Sequence, residues 1–178
     1  MAVCLLNQDV LRSTFCGYSL GAISRIYLAN YEDVSATTID TSSGQSVTGI
    51  TMASGKTFYA IDPAKNSANW SDTLVVSDDG SKYRTHQVVF NIVGTYTPEL
   101  ADVVDALSLG KYVAVLEKND GNSVMLGRTA GVEAEAVVLG GSDDGSVTNG
   151  IQVTLNANTA EVALPMSAEA MAVVKSGN

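Results

Sequence analysis

Between residues 87 and 117 the hydrophobic pattern changes from strand-like to helical and back. Leu100, Val103, Val104 and Leu107 fall at i, i+3, i+4 and i+7, one apolar stripe of an α-helix, while Glu99, Asp102 and Asp105 point elsewhere. This spacing predicts a helix over 98–109. Thr97 suits its N-cap and Pro98 its first position, and Glu99 complements the positive end of the dipole. Gly110 is expected to end it in a left-handed conformation, with Lys111 against the negative end.

The rest reads as short apolar runs between turn signals. Strands are predicted over 23–30, with 31–40 continuing or pairing with it. A hairpin is predicted from 47–53 and 56–61 across Ser54-Gly55, and a long hairpin from 70–76 and 82–96 across an Asp-Gly turn. A second Asp-Gly hairpin joins 112–116 to 123–126. Strands over 132–139, 151–155 and 161–164 follow, with 156–159 as a loop and Pro165 closing the β region. Ser-Asp-Asp-Gly-Ser occurs twice, from Ser77 and from Ser142, but its flanks differ and it marks no structural repeat. The expected fold is mainly β, an antiparallel β-sandwich or barrel with one flanking α-helix over 98–109. A crossover between neighbouring parallel strands and a bridge between two sheets both remain open for that helix. The organisation expected is an N-terminal arm (1–22), a β-sandwich domain (23–165) and a C-terminal tail (166–178) of weak helical character.

Composition agrees. The chain has 178 residues, 46% hydrophobic and only 16% charged, and is rich in residues that favour strands and turns. No stretch approaches the roughly 20 apolar residues that span a bilayer, and the first residues lack a basic n-region, so neither a membrane protein nor a signal peptide is expected. The net charge is −9 and the pI near 4.4. The ten cations are scattered singly, so a DNA reader is disfavoured. Cys4 and Cys16 are too few for a disulfide framework, and with one histidine in the chain they cannot complete a four-ligand zinc site. Buried reduced thiols fit synthesis in a cytoplasm.

Three motifs carry possible chemistry, and each has a plainer reading. Gly17-Tyr18-Ser19-Leu20-Gly21 matches a nucleophile elbow, but too little chain precedes it to build the sheet, and the only base, His86, lies in a strand pattern. His86 reads as structural or surface. Ser54-Gly55-Lys56-Thr57 resembles the end of a phosphate-binding loop, yet Ile50 stands where the first glycine is needed and a strand follows. The Asp pairs at Asp78, Asn119 and Asp143 lack the spacing of a calcium loop and read as Asx turns. Glu133 and Glu135 read as surface charge. No enzyme, metal or cofactor is expected.

From Phe90 to Leu164 the order of segments resembles bacteriophage tail-tube and related tail proteins. Val-Val-Phe-Asn-Ile-Val leads into the capped helix, then Lys-Tyr-Val-Ala-Val-Leu, then Asn-Asp-Gly-Asn-Ser-Val-Met-Leu-Gly; Gly131-Val-Glu-Ala-Glu-Ala-Val-Val and Asn149-Gly-Ile-Gln-Val-Thr-Leu follow. The resemblance implies a non-enzymatic virion protein, a homo-oligomer of stacked and usually hexameric rings around a lumen that passes the genome without binding it. It also implies a location in the virion tail and tail terminator, tape measure or sheath proteins as partners. An acidic lumen would suit such a conduit. The alternatives are another virion component (an adaptor, terminator or capsid decoration protein) or a carbohydrate-binding β-sandwich that stacks sugars on Trp70, Tyr18 and Tyr31. Candidate subunit contacts are the segments without a core of their own, represented by Cys4, Leu5, Cys16 and Tyr18 in the arm, Thr41 and Ser46 in one loop, and Asp62 and Trp70 in another. The acidic helix face of Glu99, Asp102 and Asp105 is expected outside the sandwich.

Overall fold

The structure, a computed structural model, describes residues 22–42, 44–94, 97–140 and 150–176. Among the described residues it is mainly β, with antiparallel sheets, two α-helices and no closed barrel. In chain order the strands are β1 (Ile23–Asn30), β2 (Val34–Asp40), β3 (Ser46–Met52), β4 (Tyr59–Ile61), β5 (Asn69–Val76), β6 (Lys82–Val93), β7 (Lys111–Lys118), β8 (Ser123–Leu126), β9 (Val132–Gly140), β10 (Gly150–Thr159) and β11 (Leu164–Pro165). Helix α1 (Pro98–Leu109) lies between β6 and β7, and α2 (Ala168–Lys175) ends the described chain.

One nine-stranded sheet runs β11-β8-β7-β9-β10-β6-β5, with β1 on the other edge of β7 and β4 beyond it; β2 and β3 form a separate hairpin. The link between β7 and β9 is short, only Lys111 opposite Glu133 and Tyr112 opposite Val132. The long sheet therefore folds over at this point. Alternation along β1, β7 and β8 then decides the layering. Ile26 and Leu28, Ala114 and Leu116, and Val124 and Leu126 face a first core shared with Val88, Phe90, Val132, Ile151, Val153 and Leu155. Tyr27 and Ala29, Val113 and Val115, and Met125 face a second core shared with Val47, Ile50, Phe58, Leu164 and α2. The β1-β7-β8 layer is buried on both faces, which explains why β7 reads as a nearly unbroken apolar run.

The predicted hairpins of β5 with β6 and of β7 with β8 form as expected. Their Asp-Gly turns share one geometry. Ser77 N donates to Ser81 O and Gly80 N to Ser77 O, just as Lys118 N donates to Asn122 O and Gly121 N to Lys118 O. Gly80 and Gly121 both have φ of +84°, the left-handed position such a loop requires. The predicted hairpin across Ser54-Gly55 does not form. β3 pairs with β2, and the following segment returns to the edge of β1 as β4, because Phe58 is drawn into the second core. The predicted loop 156–159 is also strand, since β10 stays paired with β6 up to Thr159. Of 161–164 only Leu164 belongs to a strand.

Helix α1 has the predicted bounds. Thr97 Oγ1 accepts from Leu100 N at 3.3 Å, and the Glu99 carboxyl lies below its usual range through its own amide and the Thr97 hydroxyl. Leu107 is buried, with Leu100 and Val104 packed beside it on the first core. Val103 is turned outward instead. Of the two connections left open by the sequence, the helix is not a crossover between neighbouring parallel strands: β10 and β9 lie between β6 and β7 in the strand order, and α1, packed on β9, bridges the outer layer to the central one. Gly110 is not left-handed, with φ of −85°. It is needed for space, because a Cβ there would overlap the Tyr112 phenol, which donates to the Ala106 carbonyl. Lys111 does not serve the helix end. It pairs with Glu133 at 3.2 Å and lies over the Tyr31 ring.

The expectation of a single helix is corrected by α2, which lies in the segment expected to have weak helical character. Ser167 Oγ caps it by accepting from Ala170 N at 3.2 Å, and Ala170, Met171 and Val174 are buried on β3 and β11 side chains. Burying Met171 and Val174 contributes about 1.5–3 kcal/mol each. A stripe of three residues in an eight-residue helix is too short a period to stand out in sequence.

Candidate functional site

Two features stand out, an outer sheet face and a buried polar junction. The outer face belongs to β5, β6, β10 and β9, whose inward positions (Trp70, Val88, Phe90, Ile151, Val153) fill the first core. The outward positions pair across the strands as Ser71 with Gln87, Thr73 with Thr85, Gln87 with Asn156, Val89 with Thr154, and Asn91 with Gln152. Thr85 donates to Asn158 at 3.0 Å, and Gln87 donates to Glu135 at 2.9 Å. The face thus mixes hydroxyls and amides with apolar positions such as Val89, Val93 and Val138, and its charges are Glu135 and the Glu133–Lys111 pair. No Lys or Arg occupies an outward position between Asn69 and Val75 or between Tyr83 and Val93. Lys65 stands at one end, in the cleft beside Asn91 and Gln152.

The junction joins β5 and β6 to the turn after β8, to β2 and to the link after β10. Asp72, its side chain only 7% exposed, is 2.6 Å from Arg84 Nε, and its second oxygen accepts from Ala163 N at 2.8 Å. His86 is buried beside it. Its Nδ1 accepts from Gly127 N at 3.3 Å, and its Nε2 is 3.7 Å from Asp72 Oδ1 with no hydrogen-bond partner among the described residues. Burial pushes the imidazole below its ordinary value, against the opposing pull of Asp72 and Glu161. Beyond the histidine, Arg128 donates from Nε to both Glu161 oxygens at 2.8 and 3.0 Å and from Nη1 to Thr37 Oγ1 at 3.1 Å. The Thr129 carbonyl accepts from Tyr31 Oη at 2.7 Å. The residues from Gly127 to Gly131 thereby join β8, β9, β2 and the link after β10.

His86 is closed off from solvent, and the elbow-like segment at Ser19 lies outside the described residues, as do Cys4, Leu5, Cys16 and Tyr18. Sequence reasoning placed His86 in a strand but missed the network, since Asp72, Arg84, Arg128 and Glu161 are distant in sequence. One signal was available: Asp72, Arg84 and His86 share the inward parity of two paired strands.

The other candidates separate. Thr41 is exposed; Ser46 is half-buried at the start of β3, opposite Asp40. Asp62 is exposed but paired with Arg25 at 2.6 Å. Trp70 packs against the first core. Glu99, Asp102 and Asp105 are all exposed on α1. Gly55 with Lys56 forms a plain turn, Lys56 N donating to Ala53 O. At Asp79 and Asp120 the carboxylates accept from Ser81 and Asn122 amides, the Asx turns expected; Asp143 lies outside the described residues. Among the described residues no group of three His, Cys, Asp or Glu could hold a metal ion, and no helix is long and apolar enough to cross a membrane.

No family model, curated protein or solved structure matches this chain.

Proposed function

We propose that this chain is a structural subunit of a bacteriophage tail tube, assembling into stacked rings through which the genome passes. The observation that carries the proposal is the outer face of β5, β6, β10 and β9. Its hydroxyls, amides and carboxylates are accompanied by only two cations, Lys65 at one end and Lys111 paired with Glu133, so DNA phosphates would find little to release counterions against and would slide past without being held. The order of segments from Phe90 to Leu164 and the mainly β, antiparallel fold support the same reading. Rings stacked through unlike surfaces leave free ends and so extend into a tube.

Stacking of sugars receives no such support. Trp70 packs into the core, and Tyr31 is held by Thr129 and covered by Lys111. Negative-stain microscopy of the purified protein at rising concentration tests the proposal. Tubes are the expected result, single rings would favour an adaptor or terminator, and a monomer at every concentration would overturn it.

A further inference from the structure

The residues from Gly127 to Gly131 connect the twice-buried central layer to the outer sheet, and their first amide is held by a single histidine nitrogen. Gly127 N donates to His86 Nδ1 at 3.3 Å. A nitrogen that accepts is unprotonated, so the neutral ring carries its proton on Nε2, facing Asp72 Oδ1 at 3.7 Å. We infer that His86 is a proton-operated latch, in which a second proton on the ring withdraws the acceptor from the Gly127 amide and loosens the 127–131 connection between the layers.

The chemistry follows from donor and acceptor counts. An imidazolium donates from both nitrogens. Nε2–H gains Asp72 as a charged acceptor after a small approach, whereas Nδ1–H then confronts the Gly127 N–H donor and one of them must move. Gly127 cannot easily take another position, because Arg128 next to it is tied to Glu161 and Thr37. The strain therefore falls on the connection as a unit.

The charged groups around the ring come from every packed element. Asp72 on β5 and Glu161 after β10 favour the cation, and Arg84 on β6 opposes it. Arg128 after β8 is neutralised by Glu161. Burial outweighs the two carboxylates, so the folded-state value lies below the ordinary one of about 6.5. The sign follows. The unfolded chain binds the proton first, so this group costs stability as pH falls from about 6.5 through the folded value.

Hydrogen exchange in the intact wild-type protein tests the latch. The protection of the Gly127 amide, corrected for intrinsic exchange and divided by that of Leu155 in β10, is followed from pH 7.5 to 5 alongside the NMR titration of the imidazole. His86 is the one histidine in the chain, so its signal is unambiguous. A fall of tenfold or more in the ratio, with the midpoint of the imidazole, is expected. His86→Asn, whose Oδ1 can accept from Gly127 but does not titrate, should abolish the fall. A constant ratio, a midpoint that differs from that of the ring, or an imidazole that stays neutral to pH 5 overturns the inference. An equal fall in the Asn variant does so as well. If that variant does not fold, the coincidence of the two wild-type titrations decides.

Discussion

Gly127 leaves β8 with φ of +70°, and a Cβ built on it would lie 2.8 Å from Val132 N and 3.0 Å from Val132 Cγ1. Two costs then add in Gly127→Ala. The left-handed conformation costs an alanine about 1–2 kcal/mol. The contact with Val132 is against backbone, and Val132 is fully buried and paired with Tyr112 at the fold of the sheet. Relieving such overpacking costs about 1–3 kcal/mol more. The total is about 2–5 kcal/mol. Gly80 is the internal control, with φ of +84° and nothing within 4 Å of its Cβ position, so Gly80→Ala should show the first cost alone. Guanidinium denaturation followed by circular dichroism measures both, and in a chain of this size each kcal/mol also lowers Tm by about 2–4 °C. If Gly127→Ala is no more destabilised than Gly80→Ala, the crowding argument fails, and with it the view that this turn is fixed between the layers.

Three further outcomes are expected. Leu107→Ala, which removes the buried anchor of α1, should lose about 2–5 kcal/mol in the same denaturation assay. By contrast, Asp102→Lys with Asp105→Lys should change stability by no more than about 0.5 kcal/mol per site; the tube or ring yield in micrographs then reports whether that face takes part in assembly. The Asp79 and Asp120 carboxyls are held below the usual carboxylate range by the Ser81 and Asn122 amides. Their stabilising contribution should be complete above the unfolded value near 3.9 and disappear as pH falls below it through the folded values. Carboxyl carbon NMR titration checks this, with both midpoints expected below those of the unfolded peptides.

What could be read from sequence was local. The bounds and N-cap of α1, its inward positions Leu100, Val104 and Leu107, and the two Asp-Gly turns depend on residues within about ten positions of one another, and those features formed where the pattern put them. Partner choice was not legible. The alternation of 47–53 and 56–61 is satisfied equally by pairing with each other or with other strands, and in the fold β3 pairs with β2 and β4 with β1 while Phe58 is buried in the second core. Position 110 shows the same limit. Glycine after a helix signals a left-handed cap, but the requirement here is room for the Tyr112 ring, and a ring two residues away in an extended strand is invisible to that rule. The outer face was hidden for a related reason: its hydroxyl and amide positions look like ordinary polar alternation until register shows that four strands present them together.

The double burial of β1, β7 and β8 makes the two halves of the molecule unequal in how they can respond to stress. The β2-β3 hairpin and α2 attach to the central layer through the second core, whereas the outer sheet attaches through the first core, the two-residue β7–β9 pairing and the Gly127–Gly131 turn. A wide apolar contact resists small displacements but carries little directional information. Orientation of the outer face relative to the rest therefore comes from the directional bonds at the fold, including the β7–β9 backbone pairing, His86 with Gly127, Arg128 with Glu161 and Thr37, and Tyr31 with Thr129. If the outer face lines a conduit, these bonds set the angle at which each subunit presents it. Weakening them should then disturb the uniformity of assemblies before it unfolds the subunit.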